Sequence, residues 1–139
     1  MTTSTYSISP IGAIGPLLVD GMDWHPVRRH FGIRAFGVNA YSARAGQDVI
    51  EPHDDGDLGH EELYVVLAGT MRLAIGTDAH IVPAGSLVHV AEPSTWRHGV
   101  ALEDGTVVLA IGAKPGAAYS VSAWEDRFVN RATEGGSET

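Results

Sequence analysis

Two histidines and a glutamate pose the chemical question. His60 and Glu62 stand two residues apart at the start of an apolar run, and His53 precedes them across a loop of Asp and Gly residues. Side chains two apart on a strand share one face, so His60, Glu62 and Tyr64 are expected along one wall. His53 is expected at the end of the preceding strand. His98 falls in a later strand and shares a face with Trp96 and Val100. If both walls face inward, imidazole, carboxylate and phenol groups line one pocket.

Such a set can do three things. Imidazoles with a carboxylate suit a first-row divalent metal, and the metal candidates are His53, His60, Glu62 and His98. A histidine held by a carboxylate can move protons near neutral pH. The same groups can hydrogen-bond a polar ligand in an otherwise apolar cavity, and the ligand-binding candidates are His60, Glu62, Tyr64, Trp96 and His98. Against all three stands a plainer reading, in which these groups satisfy one another in the wall of a filled barrel. The other histidines carry less. His25 and His30 flank Pro26 and the Arg28–Arg29 pair and read as surface or loop residues. His80 opens a short strand and reads as exposed.

The elements that must position these groups are short strands. Seventeen glycines and seven prolines punctuate the 139 residues, which implies many turns. Strands are expected over residues 33–41, 63–67, 71–75, 79–82, 86–90, 96–102 and 106–111, a spacing that argues a sandwich or barrel. Helix is expected to be nearly absent, at most two short pieces, with the best candidate near the end. There Ser122 could cap a helix with Glu125 three residues on, and Trp124 and Phe128 would share its apolar face. That helix would plug or cover the barrel, and residues 135–139 read as a frayed tail. The run LYVVL at residues 63–67 is apolar on both faces, so its second face needs a cover. The second sheet, the N-terminal segment or another subunit could supply it. A homodimer is the expectation. The division expected is residues 1–32 as an N-terminal arm packing on the barrel or a partner, 33–121 as the barrel, and 122–139 as helix and tail.

Composition narrows the partners. Acidic residues outnumber basic ones 17 to 9, the formal charge is −8, and cysteine is absent. No disulfide framework, zinc–thiolate site or thiol nucleophile is available. Phosphate backbones need a positive patch, so nucleic acid and anionic membrane are poor partners. No run reaches the roughly 18 apolar residues of a membrane span, and residues 1–9 do not resemble a signal peptide. A cytoplasmic location is the expectation. Glu51, Asp54, Asp55, Asp57, Glu61 and Glu62 crowd into residues 51–62, either as a solvated loop or as a cation-attracting rim.

Residues 46–69, GQDVIEPHDDGDLGHEELYVVLAG, resemble the first sequence motif of the cupin superfamily, and residues 76–89, GTDAHIVPAGSLVH, resemble the second. The likeness extends over residues 33 to about 111 and includes small single-domain bacterial cupins of uncharacterised role. It implies an all-β cupin-type double-stranded β-helix, a jelly-roll barrel, with a short C-terminal helix. It also implies metal ligands. His53 matches the first, Asp55 or His60 could stand for the second, and Glu62 matches the glutamate. The histidine of the second motif falls at Val88, which cannot ligate. His89 is next door but faces the other side unless a bulge turns it, which makes His98 the better replacement. The function expected is a small-molecule-binding cupin. The alternatives are a divalent-metal-dependent enzyme (oxygenase, isomerase or lyase) acting on a small metabolite, and a sensor or partner-binding module. The cofactor allowed is one divalent ion, Mn, Fe, Ni, Cu or Zn.

Overall fold

Short strands bounded by glycine turns build nearly the whole chain, and a computed structural model describes residues 5–137. After a 3-10 turn at Ile11–Ala13 the elements are β1 (Leu17–Val19), β2 (Met22–His25), α1 (Val27–Phe31), β3 (Gly37–Ala43), β4 (Asp48–His53) and β5 (Glu61–Ala68). They continue as β6 (Thr70–Ile75), β7 (Asp78–Pro83), β8 (Leu87–Val90), β9 (Arg97–Ala101), β10 (Thr106–Ala113) and α2 (Trp124–Ser137). Each of the seven expected strands is present, and the strand before the acidic loop ends at His53 as expected. The strands form two antiparallel sheets, ordered β1-β2-β3-β10-β5-β8 and β4-β9-β6-β7.

The core lies between the sheets. Tyr64, Val66, Val90, Val108 and Ala110 of the larger sheet meet Val49, Ile50, Met71, Leu73, Val82 and Ala101 of the smaller one. Strand alternation sends every second residue inward, and pairing sets which ones. Glu62 and Tyr64 of β5 stand opposite Gly112 and Ala110 of β10, and opposite Val90 and Val88 of β8. Gly69 closes β5 with φ +71°, and a Cβ there would lie 2.7 Å from the Thr106 Cα. Only glycine satisfies both the left-handed backbone and that approach.

The N-terminal residues do two jobs. Residues 17–25 extend the larger sheet as a hairpin, with Val19 opposite Met22. Asp20 and Gly21 form its two-residue turn with φ 52° and 83°, the type I′ geometry that Asp-Gly favours. Ile11, Ile14 and Val27 instead cover the outer face of β3 and β10, on Val38, Ala40, Leu109 and Ile111. His25 is a correction. It is buried, not a surface or loop residue, because its ring nitrogens bond the Ile14 carbonyl (2.9 Å) and the Ser42 hydroxyl (2.8 Å). His30 and His80 are exposed, as expected.

Helix α2 crosses the open end of the sandwich. Trp124 and Phe128 do share a face, 4.9 Å apart, and they pack with Val19, Met22, Trp24 and Tyr41. The expected capping box is absent. The Glu125 carboxylate turns to Arg28, accepting from Nε at 2.8 Å and from Nη2 at 3.0 Å, with both side chains buried. A bidentate guanidinium is a stronger partner for a carboxylate than a backbone N–H. The helix runs on to Ser137, so residues 135–137 of the expected tail are helical, and residues 138–139 lie outside the described residues.

Candidate functional site

A cavity of about 440 Å³ opens between the end of the sheets, the acidic loop and α2. Its floor comes from inward positions of β3, β5 and β10, namely Asn39, Tyr41, Glu62, Tyr64, Ala110 and Gly112. Its rim holds His53 at the end of β4, Asp54, Asp55, Asp57 and His60 from the loop, and Tyr119, Trp124 and Phe128 from the C-terminal segment. Small residues on β10 make the room. A Cβ added at Gly112 would lie 3.0 Å from the Glu62 Cγ.

At one end of the cavity lies a tight ionic cluster. Glu62 Oε1 accepts from the Tyr64 hydroxyl at 2.6 Å and from Arg97 Nη2 at 2.5 Å. The same Nη2 donates to Asp55 Oδ2 at 2.6 Å. Asp55 is a loop residue, yet it is fixed by its own backbone: its N–H bonds the Pro93 carbonyl and its carbonyl accepts from Gly59. His53 donates Nδ1–H to the Glu51 carbonyl at 2.6 Å, which aims Nε2 at Asp55 Oδ1 (3.5 Å) and Glu62 Oε1 (3.9 Å). Ligand atoms of His53, Asp55 and Glu62 all fall within 4.8 Å of one another.

The charges follow from these contacts. Burial alone would raise the Glu62 pKa, but hydrogen bonds from His53, Tyr64 and Arg97 outweigh it and bring it down to about 2. Asp55 goes the other way. Burial and then the adjacent Glu62 charge lift it to about 7, against the pull of Arg97. Two close carboxylates cannot both ionise freely, so Glu62 holds the charge and Asp55 holds a proton near neutrality. Burial works against a charged His53, but the Glu62 carboxylate, the Glu51 carbonyl and Asp55 together raise its pKa. His60 is lowered by burial, with Glu62 opposing. It faces Tyr119, ring centres 5.9 Å apart, and is not part of the three-residue cluster. His53 and Asp55 are therefore the groups that can exchange a proton at neutral pH.

The expected sites divide. His53, His60, Glu62 and Tyr64 all line the cavity. Trp96 and His98 do not, which corrects the reading of that strand. His98 is turned to the outer side, where it bonds Asp48 at 2.7 Å and packs on Trp96, which is 44% exposed. The inward residues of β9 are Arg97, Gly99 and Ala101, because β6 pairs Leu73 with Gly99 and Met71 with Ala101. His89 also lies outside, against Glu61, and Val88 packs on the core. No bulge turns His89 inward, since β8 pairs β5 in unbroken register from Leu87 to Val90. Sequence reasoning missed Arg97, Asn39, Tyr41 and Tyr119. A signal for Arg97 did exist, since Gly99 and Ala101 are the small residues a crowded inner face accepts.

One buried polar atom in the floor is unmatched. Asn39 is 4% exposed and its Oδ1 has no hydrogen-bond partner. Buried acceptors are normally satisfied; this oxygen is not, and it is closed to solvent although Asn39 lines the cavity floor.

No protein-family model matches the sequence, and no curated protein matches it. Solved structures do match in shape. A cupin protein from Bacteroides fragilis aligns over 86% of this chain and 93% of its own, with TM-score 0.62 and 20% identity. A sugar phosphate isomerase from a cupin superfamily, from Silicibacter pomeroyi, aligns over 84% and 74%, with TM-score 0.60 and 22% identity. An RmlC-like cupin from Shewanella frigidimarina aligns over 70% and 80%, with TM-score 0.54 and 12% identity. Two antiparallel sheets in this order, closed at one end by a C-terminal helix, give this chain the fold of the cupin superfamily.

Proposed function

We propose that this protein is a small-molecule-binding cupin whose ligand sits in the cavity beneath α2. The observation that carries this is a 440 Å³ cavity that sets the apolar Tyr41, Trp124 and Phe128 beside the polar groups of His53, His60, Glu62 and Tyr64. The lining also narrows the ligand. Glu51, Asp54 and Asp57 stand against one lining arginine, Arg127, while Glu62 and Glu125 are already paired with Arg97 and Arg28 and Asp55 holds its proton near neutrality, so a phosphate or carboxylate group is mildly disfavoured. A neutral or cationic molecule rich in hydroxyl or amine donors fits, with an apolar part against Tyr41, Trp124 and Phe128. The Silicibacter pomeroyi neighbour is described as a sugar phosphate isomerase, and the acid wall argues against carrying its phosphate-bearing substrate over to this chain. The test is a thermal-shift and calorimetric screen of neutral sugars, polyols and amino alcohols beside their phosphorylated counterparts. Binding confined to the unphosphorylated set, and weakened by Asn39→Leu, is expected. Binding of phosphorylated compounds alone would refute the reading.

A second reading, a divalent-metal-dependent oxygenase, isomerase or lyase, draws on the His53, Asp55 and Glu62 cluster. The cluster does not fit a metal as it stands, because the Arg97 guanidinium already occupies both carboxylates.

The dimer is likewise our proposal. The N-terminal segment covers β3 and β10 but leaves the outer face of β5 and β8, where Leu67 and Leu87 are 45% and 65% exposed. A second copy laid on that face would bury both, together with the half-buried Leu63 and Val65.

A further inference from the structure

Arg97 is fully buried, although guanidinium groups are almost never so unless paired. Every N–H of its head has a partner. Nε donates to the Tyr64 hydroxyl at 3.2 Å, and Nη1 donates to the carbonyls of Pro93 (3.1 Å) and Thr95 (2.7 Å). Nη2 donates to Asp55 and Glu62. Moving it aside would strand two backbone carbonyls and two carboxylates, so the group is fixed. It has no donor left for a ligand. Its one positive charge sits where the ligand atoms of His53, Asp55 and Glu62 converge.

We propose that Arg97 is a built-in cation that takes the place of a divalent metal in the His53, Asp55 and Glu62 centre. The cavity is thereby organised around a guanidinium that cannot dissociate. Three observations support this beyond the ion pairs. A metal on the same carboxylates would stand within a few ångströms of a fixed positive charge, and that repulsion is strong where water is excluded. The remaining imidazoles that could complete a coordination shell are turned away. His89 and His98 are bonded to Glu61 and Asp48 on the outer surface, and His60 lies apart from the cluster. The inward neighbour of Tyr64 across the β5–β8 ladder is Val88, which offers no ligand atom. The guanidinium also does what a metal would do for the architecture. It ties the loop residue Asp55 to a strand of each sheet, Glu62 on β5 and its own β9.

Removing Arg97 should therefore uncover a latent metal site. The experiment titrates the full-length, untagged, chelator-treated protein with the chlorides of Zn(II), Co(II), Ni(II) and Mn(II), by calorimetry and by the visible spectrum of bound Co(II). Wild type and Arg97→Lys, which both keep the charge, should take up no stoichiometric metal at micromolar concentration. Arg97→Ala should bind one equivalent at least about 100-fold more tightly than wild type, and His53→Ala in that background should abolish it. Should Arg97→Ala be unable to fold alone, refolding in the presence of one of these ions should restore it. Stoichiometric binding by wild type that depends on His53 or Glu62 overturns the proposal, as does metal uptake by Arg97→Lys. A folded Arg97→Ala with no gain over wild type overturns it too, and so does one that no ion can refold. None of these outcomes depends on which organic ligand the cavity takes.

Discussion

Arg97 and Glu62 meet at 2.5 Å across the gap between the two sheets, one on β9 and the other on β5. Their contact is an ionic tie through the core, with side chains 0% and 15% exposed. A buried pair of this kind adds little over a well-packed apolar pair, but breaking one side leaves an uncompensated charge.

Glu62→Gln is accordingly expected to cost about 3 kcal/mol, the low end for a broken buried pair, because Asp55 still faces the guanidinium. Urea unfolding of the variant beside wild type measures it. A loss below about 1 kcal/mol, the worth of a surface ion pair, would show that the contact is not buried in solution.

Stability should fall as pH rises from mildly acidic values towards neutrality. Asp55 is raised from 3.8 to about 7 in the fold, so the folded chain keeps a proton that the unfolded chain releases. Its contribution is complete below the unfolded pKa and is lost as pH climbs through about 7. The raised His53 acts in the same sense. Glu62 acts oppositely: lowered from 4.5 to about 2, it adds stability above 4.5 that disappears as pH falls through about 2. Melting temperature should thus decline between about pH 4.5 and 7, and Asp55→Asn should flatten that decline. A melting temperature that climbs across the same window contradicts the assignment of the proton to Asp55.

Helix α2 is held down by Arg28 and Glu125. Glu125→Ala strands a buried guanidinium and should cost about 3–5 kcal/mol. It should also loosen the Trp24, Trp124 and Phe128 cluster, visible as a red-shifted tryptophan emission. Unchanged emission and stability would mean that the aromatic contacts alone hold the helix.

His98→Ala should leave ligand binding unaltered and change stability by no more than about 1 kcal/mol, since its bond to Asp48 is a partly exposed pair. A large loss of binding would place His98 in the cavity after all.

Leu67→Glu combined with Leu87→Glu should yield a folded monomer while wild type sediments as a dimer. Obligate interfaces are apolar at their centre, and a charge on each exposed leucine of that face cannot be buried unpaired. A wild-type monomer at micromolar concentration ends the dimer proposal.

Much of this was legible in the chain itself. Glycine turns and short β-rich runs marked seven of the ten strands, and the end of an eighth at His53, because turn chemistry and side-chain period are local properties. Glu62 and Tyr64 could be placed on one face for the same reason. The Asp20–Gly21 pair is an equally local turn signal, and the hairpin it closes lies within residues 1–32, where no strand was expected. What the tertiary structure alone decided is which face of each strand turns inward. Alternation on β9 offered His98 or Arg97 as the inward residue, and residue type favoured the histidine. The pairing of Leu73 with Gly99 and Met71 with Ala101 reversed that choice. Register is set by partners distant in sequence, and a shift of one residue exchanges both faces. The charge state of the site belongs to the same level. Asp55 and Glu62 are carboxylates of similar intrinsic acidity, and they diverge because folding buries them together and gives Glu62 the hydrogen bonds of His53, Tyr64 and Arg97.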